Sequence, residues 1–149
     1  LNVDEKAKIV DILFKFSANE KIPMHKHTSN YSTFTVKGEL RTYDTDGNLQ
    51  SVRPAGVFKA GTPGEAHTEG GGDEDVVVYF SLRPYTSTDP IYEILDENLE
   101  VVADMCFDDL KELYEEYSNF ILRHKSHIFL LFLHLEQYFA VFEFQDQKC

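Results

Sequence analysis

The chain has 149 residues, 42% hydrophobic and 27% charged, which suits one domain with a buried core and argues against a disordered chain. Its formal net charge of −12 argues against a nucleic-acid surface, which needs clustered Lys and Arg, and gives no attraction to an anionic membrane. Cys106 and Cys149 make no C-x-x-C pair or disulfide framework, and the charged opening (Asp4, Glu5, Lys6, Lys8) does not read as a secretory leader, so a cytoplasmic setting is expected.

Every glycine lies between Gly38 and Gly72 and no proline follows Pro90, dividing a turn-rich first part from a turn-poor last third. Residues 9–16 read as a strand, closed by the polar turn Ser17-Ala18-Asn19-Glu20. Residues 31–36 form a second, ended by Gly38. Residues 40–43 and 49–52 flank Asp44-Thr45-Asp46-Gly47-Asn48, whose Asp-Gly step is a hairpin signal. The continuous apolar run 76–82 suits a buried strand, and 92–95 with 99–103 reads as a hairpin across Asp96-Glu97-Asn98. Short strands at this spacing predict a sandwich or barrel.

From Phe107 the period changes. Phe107, Leu110, Leu113, Tyr114, Tyr117, Phe120 and Ile121 recur at helical spacing, and Asp109 with Glu112 has the form of a capping box. The expected division is a barrel over 1–104 and a helical segment over 105–149, packed on the barrel or on a partner subunit. Residues 128–144 are rich in Leu and Phe but shorter than the ~20 apolar residues of a membrane span, so core packing or a dimer interface is expected. His124, His127 and His134 in the tail read as solvated or interfacial, Cys106 as a packed thiol, and Tyr79, Phe80 and Phe58 as core aromatics.

The chemistry is carried by His25-Lys26-His27 and, far downstream, His67. On a strand, residues i and i+2 share a face, so His25 and His27 can aim at one point, and His67 from a neighbouring strand could complete a facial set. Imidazole suits Zn, Fe, Cu and Ni, and three protein ligands leave positions open for water or substrate. Thr33 and Thr35 share the parity of a polar interior, with Phe34 and Val36 packing on the opposite face.

These histidines fall in register with two motifs of the cupin superfamily, G-x5-H-x-H-x3-E-x6-G and G-x5-P-x-G-x2-H-x3-N, and the chain resembles that family. The first motif reads Asn19, His25, His27, Tyr31, Gly38. The second reads Gly56, Thr62, Gly64, His67, Gly71, with Pro63 one place late. The resemblance implies an all-β, RmlC-like double-stranded β-helix barrel followed by a C-terminal α-helix, with a divalent metal on His25, His27 and His67. Asn19 in the place of the first glycine is tolerable because Asn accepts left-handed backbone angles. Tyr31 stands where the family has its ligand glutamate. Three neutral imidazoles then leave a formal +2, which favours an anionic, bidentate oxygen ligand. Tyr31 is either a phenolate ligand or a pocket wall whose hydroxyl hydrogen-bonds a ligand. Glu69 shares parity with His67 and is a candidate for the cavity, against a plainer place with Glu65 in a solvated acidic loop.

A nearer resemblance joins Ile22-Pro23-Met24-His25-Lys26-His27-Thr28, Phe34 to Leu40 and Pro63-Gly64-Glu65-Ala66-His67-Thr68 to small cupins such as 2,4′-dihydroxyacetophenone dioxygenase and acetylacetone-cleaving enzymes. It implies Fe(II), with Zn, Ni and Mn as alternatives, and O₂-dependent cleavage of a C–C bond in a small diketone or hydroxyketone. Tyr31 and Glu69 are its candidate catalytic residues. The competing functions are a non-catalytic metal- or ligand-sensing cupin and a metal-assisted isomerase or lyase of small acids or sugars. A homodimer is expected, since symmetric dimers are the commonest oligomers and the helix offers an apolar stripe.

Overall fold

The computed structural model describes residues 2–123. The tail run 128–144, His124, His127, His134 and Cys149 lie outside the described residues. Among the described residues the chain forms β1 (Asn2–Asp4), β2 (Ile9–Phe16), β3 (His25–His27), β4 (Asn30–Lys37), β5 (Glu39–Tyr43), β6 (Leu49–Pro54), β7 (Phe58–Ala60), β8 (Ala66–Gly71), β9 (Val76–Arg83), β10 (Pro90–Leu95), β11 (Val101–Cys106) and α1 (Phe107–Arg123).

The strands make two sheets with the orders β1-β2-β9-β4-β7 and β11-β10-β3-β8-β5-β6. Neighbouring strands in both are antiparallel. From β2 to β5 the chain changes sheet at every step, and it does so again from β6 to β10. Most pairings therefore join segments distant in sequence.

Three hairpins are the local exceptions, β1–β2 among them. Between β5 and β6, Asp44 Oδ1 accepts the N–H groups of Asp46 and Asn48 at 3.0 and 2.8 Å. Between β10 and β11, Asp96 Oδ1 accepts those of Asn98 and Glu100 at 2.8 and 2.9 Å. Leu99, expected to open the second strand, instead has φ +63° and completes the turn, so pairing starts at Val101. Asn19 adopts φ +58°, the left-handed conformation its motif position calls for. Gly38 has φ +74°, and a Cβ there would lie 2.5 Å from Asp75 O, so no other residue fits.

The core has two parts. Val10, Leu82, Ile91, Phe107 and Leu110 form one cluster; Phe16, Leu40, Val76, Val78 and Phe80 form the other. β9 alternates faces: Val76, Val78, Phe80 and Leu82 point inward, while on the other face Tyr79 and Arg83 are exposed and Ser81 is buried. Tyr79 and Phe58 depart from the expected core placement because they have the opposite parity to Phe80. Tyr79 pairs with Leu13 and Phe34, and Phe34 pairs with Phe58, giving an exposed apolar row across four strands. Thr33 and Thr35 are buried, while Phe34 and Val36 face outward without the cover expected for them.

Cys106 is buried, and α1 begins immediately after it. Phe107, 1% exposed, and Leu110 seat the helix on Val10, Leu82 and Ile91. Burying a side chain of this size contributes about 1.5–3 kcal/mol. Asp109 accepts the Cys106 N–H at 2.7 Å, so Asp109 occupies the third helical position, not the cap itself. Asp108 and Asp109 place negative charge on the positive end of the helix dipole.

Candidate metal centre

β3 is only three residues long, yet it lies between two partners. β8 pairs His67 opposite His25; β10 pairs Ile94 opposite His25 and Tyr92 opposite His27. The period of two turns both β3 histidines inward, where they are 0% and 3% exposed. Lys26, between them, points the other way and pairs with Glu93 at 2.8 Å. The hydroxyls of Thr28 and Thr68 donate to Pro90 O and Ile22 O, and Gly64 N–H donates to His27 O at 2.7 Å.

The ring centroids of His25 lie 4.4 Å from His67 and 5.4 Å from His27, and those of His27 and His67 are 5.8 Å apart. One ligand atom from each of His25, His27, His67 and Glu69 falls within 4.8 Å of the others, a set that could hold one metal ion. Pro23 O and Glu65 O can only accept, so the Nδ1 atoms of His25 (2.9 Å) and His67 (3.0 Å) donate to them. This leaves each Nε2 lone pair free. His25 Nε2 and both His27 nitrogens are buried with no hydrogen-bond partner in the protein. Buried polar atoms of this kind call for a partner, and a dication supplies one.

The electrostatics keep the rings neutral, as metal ligands must be. Burial, then the nearby His67, holds His25 down at about 3. Burial also holds His27 well below the usual histidine range, with the other two rings adding to the effect. His67 is lowered too, first by burial.

Glu69 is 2% exposed, which rules out the solvated loop. Burial raises its carboxyl to about 7, and Arg53, with Nη2 at 3.9 Å, offsets part of that rise. Arg53 also donates from Nη1 to Thr33 Oγ1 at 2.9 Å. The Tyr31 ring stacks on His27 at 3.8 Å and 21°, and burial, then Glu69, raises its hydroxyl to about 12. Tyr92 stacks on His25 at 4.7 Å; burial, then Glu69, raises its hydroxyl as well.

Sequence reasoning missed Arg53 and Tyr92. Arg53 faces inward because it pairs with the fully buried Leu40, and Tyr92 because β10 lies against β3. The β10–β3 pairing has no local sequence signal, and the β5–β6 hairpin signal at Asp46-Gly47 does not by itself say which face of β6 turns inward. Tyr31, Thr42, Ser51, Arg53, Lys59 and His67 contribute to a cavity of about 420 Å³, room for a small molecule beside the His67 imidazole.

Two facing antiparallel sheets with inward histidines on neighbouring strands define a cupin barrel with a candidate metal site. No protein-family model matches the chain, and no curated protein is detectably similar to it. Among solved structures it is similar to an RmlC-like cupin protein from Ralstonia eutropha JMP134, at 20% identity and TM-score 0.63, over 84% of this chain and 71% of that one. It is also similar to an acetylacetone dioxygenase from Acinetobacter johnsonii, at 16% identity and TM-score 0.59, over 75% and 71%. A candidate acetylacetone dioxygenase from Methylibium petroleiphilum PM1 aligns at 15% identity and TM-score 0.60, over 76% and 75%. The protein has the RmlC-like cupin fold.

Proposed function

We propose that this protein is a non-haem metal-dependent dioxygenase that uses His25, His27 and His67 to hold Fe(II) and cleaves a C–C bond of a small diketone or hydroxyketone. The observation that carries it is the meeting of three neutral imidazoles, those of His25 and His27 with unpartnered buried nitrogens and that of His67 on the wall of a cavity of about 420 Å³. Fe(II), when bound, would supply a Lewis-acidic centre for two substrate oxygens and for O₂ chemistry. The acetylacetone dioxygenase among the structural neighbours supports the diketone class.

The protein's own groups would do the rest. His25 and His67 present Nε2 because their Nδ1 protons are committed to backbone carbonyls. Glu69, its carboxyl held near neutrality, is suited to take the proton of a substrate that binds as its enolate. Tyr31 keeps its phenol proton and can donate it to a substrate oxygen from the cavity wall. The exposed row Leu13, Tyr79, Phe34 and Phe58 would give a homodimer an apolar surface; a hydrodynamic mass of one chain would remove that part.

The test is anaerobic Fe(II) loading followed by oxygen uptake with a panel of diketones and hydroxyacetophenones. Uptake matched to carboxylate product is the expected result. An iron-replete sample that consumes no oxygen across the panel defeats the dioxygenase assignment. Tight binding without turnover would then point to a sensor, and equal turnover without oxygen to an isomerase or lyase.

A further inference from the structure

We infer that Tyr31 is a positioning residue: its ring fixes the His27 imidazole for metal binding by stacking, where hydrogen bonds fix His25 and His67. The inference rests on the metal reading above. A metal-bound imidazole ordinarily donates its second ring N–H to a carbonyl or carboxylate, which sets both tautomer and orientation. His25 and His67 do this through Pro23 O and Glu65 O. His27 does not: neither of its nitrogens has a protein partner.

Its ring is held by flat contacts. Tyr31 lies over one side at 3.8 Å and 21°, and Phe80 is near-parallel at 6.2 Å and 22°. The rings of His25 and Tyr92 stand nearly perpendicular, each at 5.4 Å. Tyr31 is itself seated by Gly61, whose N–H donates to Tyr31 O at 3.0 Å. A Cβ on Gly61 would fall inside the phenol ring, so this glycine is required for space. Tyr31 thus occupies the motif position of a ligand carboxylate but acts through its ring face. For metal affinity its hydroxyl is dispensable and its aromatic plane is not.

The experiment compares wild type, Tyr31→Phe, Tyr31→Leu and Gly61→Ala. Co(II) affinity is measured by titration of its visible absorption, and the His27 ring protons are followed by NMR in metal-free protein. Tyr31→Phe should bind Co(II) within about threefold of wild type, and Tyr31→Leu about 10- to 100-fold more weakly with an altered ligand-field spectrum. In metal-free protein the His27 ring protons, shielded by the aromatic face in wild type and Tyr31→Phe, should move downfield in Tyr31→Leu. Gly61→Ala, which leaves every metal-facing side chain unchanged, should reproduce the Leu phenotype and covers the case in which Tyr31→Leu does not fold. Equal loss in Phe and Leu would assign the role to the hydroxyl and overturn the inference. Full affinity in Leu would overturn it while leaving the metal site standing. A wild-type protein that takes up no Co(II) would defeat the metal reading, and this inference with it.

Discussion

His25 and His67 are directly opposed across the β3–β8 ladder, and their ring centroids are 4.4 Å apart. Opposed residues in an antiparallel pair present their side chains on one face. Two imidazoles that stay neutral can share that face, whereas two imidazolium ions could not. Depressed basicity and convergence thus have one cause: the rings are buried together.

Metal uptake is the first consequence. Protein purified without chelator should bind one divalent ion, and His67→Ala should lose it on dialysis. A ligand present at a hundred times its Kd stabilises the fold by about 2.7 kcal/mol. Thermal melts with and without Zn should show that rise in wild type and not in His67→Ala.

Glu69 gives a pH dependence of known sign. Its folded-state pKa of about 7 lies above its ordinary 4.5, so the stability linked to it is present below pH 4.5 and lost as pH rises through 7. In metal-free protein, Glu69→Gln should therefore gain stability relative to wild type on going from pH 5 to pH 8, on the order of 1–3 kcal/mol. Urea unfolding at the two pH values measures the difference, in which the histidine contributions cancel. A difference that does not change with pH would contradict the perturbed carboxyl.

Arg53→Leu should behave in the opposite way. Arg53 opposes the desolvation of Glu69 and donates to Thr33. Its loss at pH 8 should cost about 3 kcal/mol, the lower end for leaving one member of a buried ion pair alone. At pH 5, where Glu69 is protonated in the fold, the cost should be visibly smaller. The same urea series reads it.

The helix anchor can be tested apart from the site. Phe107→Ala should cost about 3–5 kcal/mol, because it empties a fully buried position. Asp109→Ala removes the acceptor of the Cys106 N–H and should cost about 1 kcal/mol. Circular dichroism during thermal unfolding would show both, with Phe107→Ala much the larger.

Much of this is legible in the sequence itself. Alternation places His25 with His27 and Thr33 with Thr35, because strand side chains repeat with period two whatever the partner strand is. Asp44 and Asp96 announce their turns because an Asx side chain caps backbone within a few residues. Even so, local pattern overran at Leu99, whose apolar side chain suits a strand while its backbone closes the turn.

Resemblance to the cupin motifs narrowed the choice to the barrel and marked the position of Tyr31; the sequence alone determined a sandwich or barrel of short strands, the β5–β6 and β10–β11 hairpins and the histidines that share a face. These are properties of short-range spacing. Only the tertiary structure decided that Arg53 meets Glu69, that Tyr92 stands against both β3 histidines, that Glu69 is buried and that Tyr31 lies flat on His27. Each depends on which strand lies beside which, and in a chain that changes sheet at most strands that choice is made by the packing of distant segments.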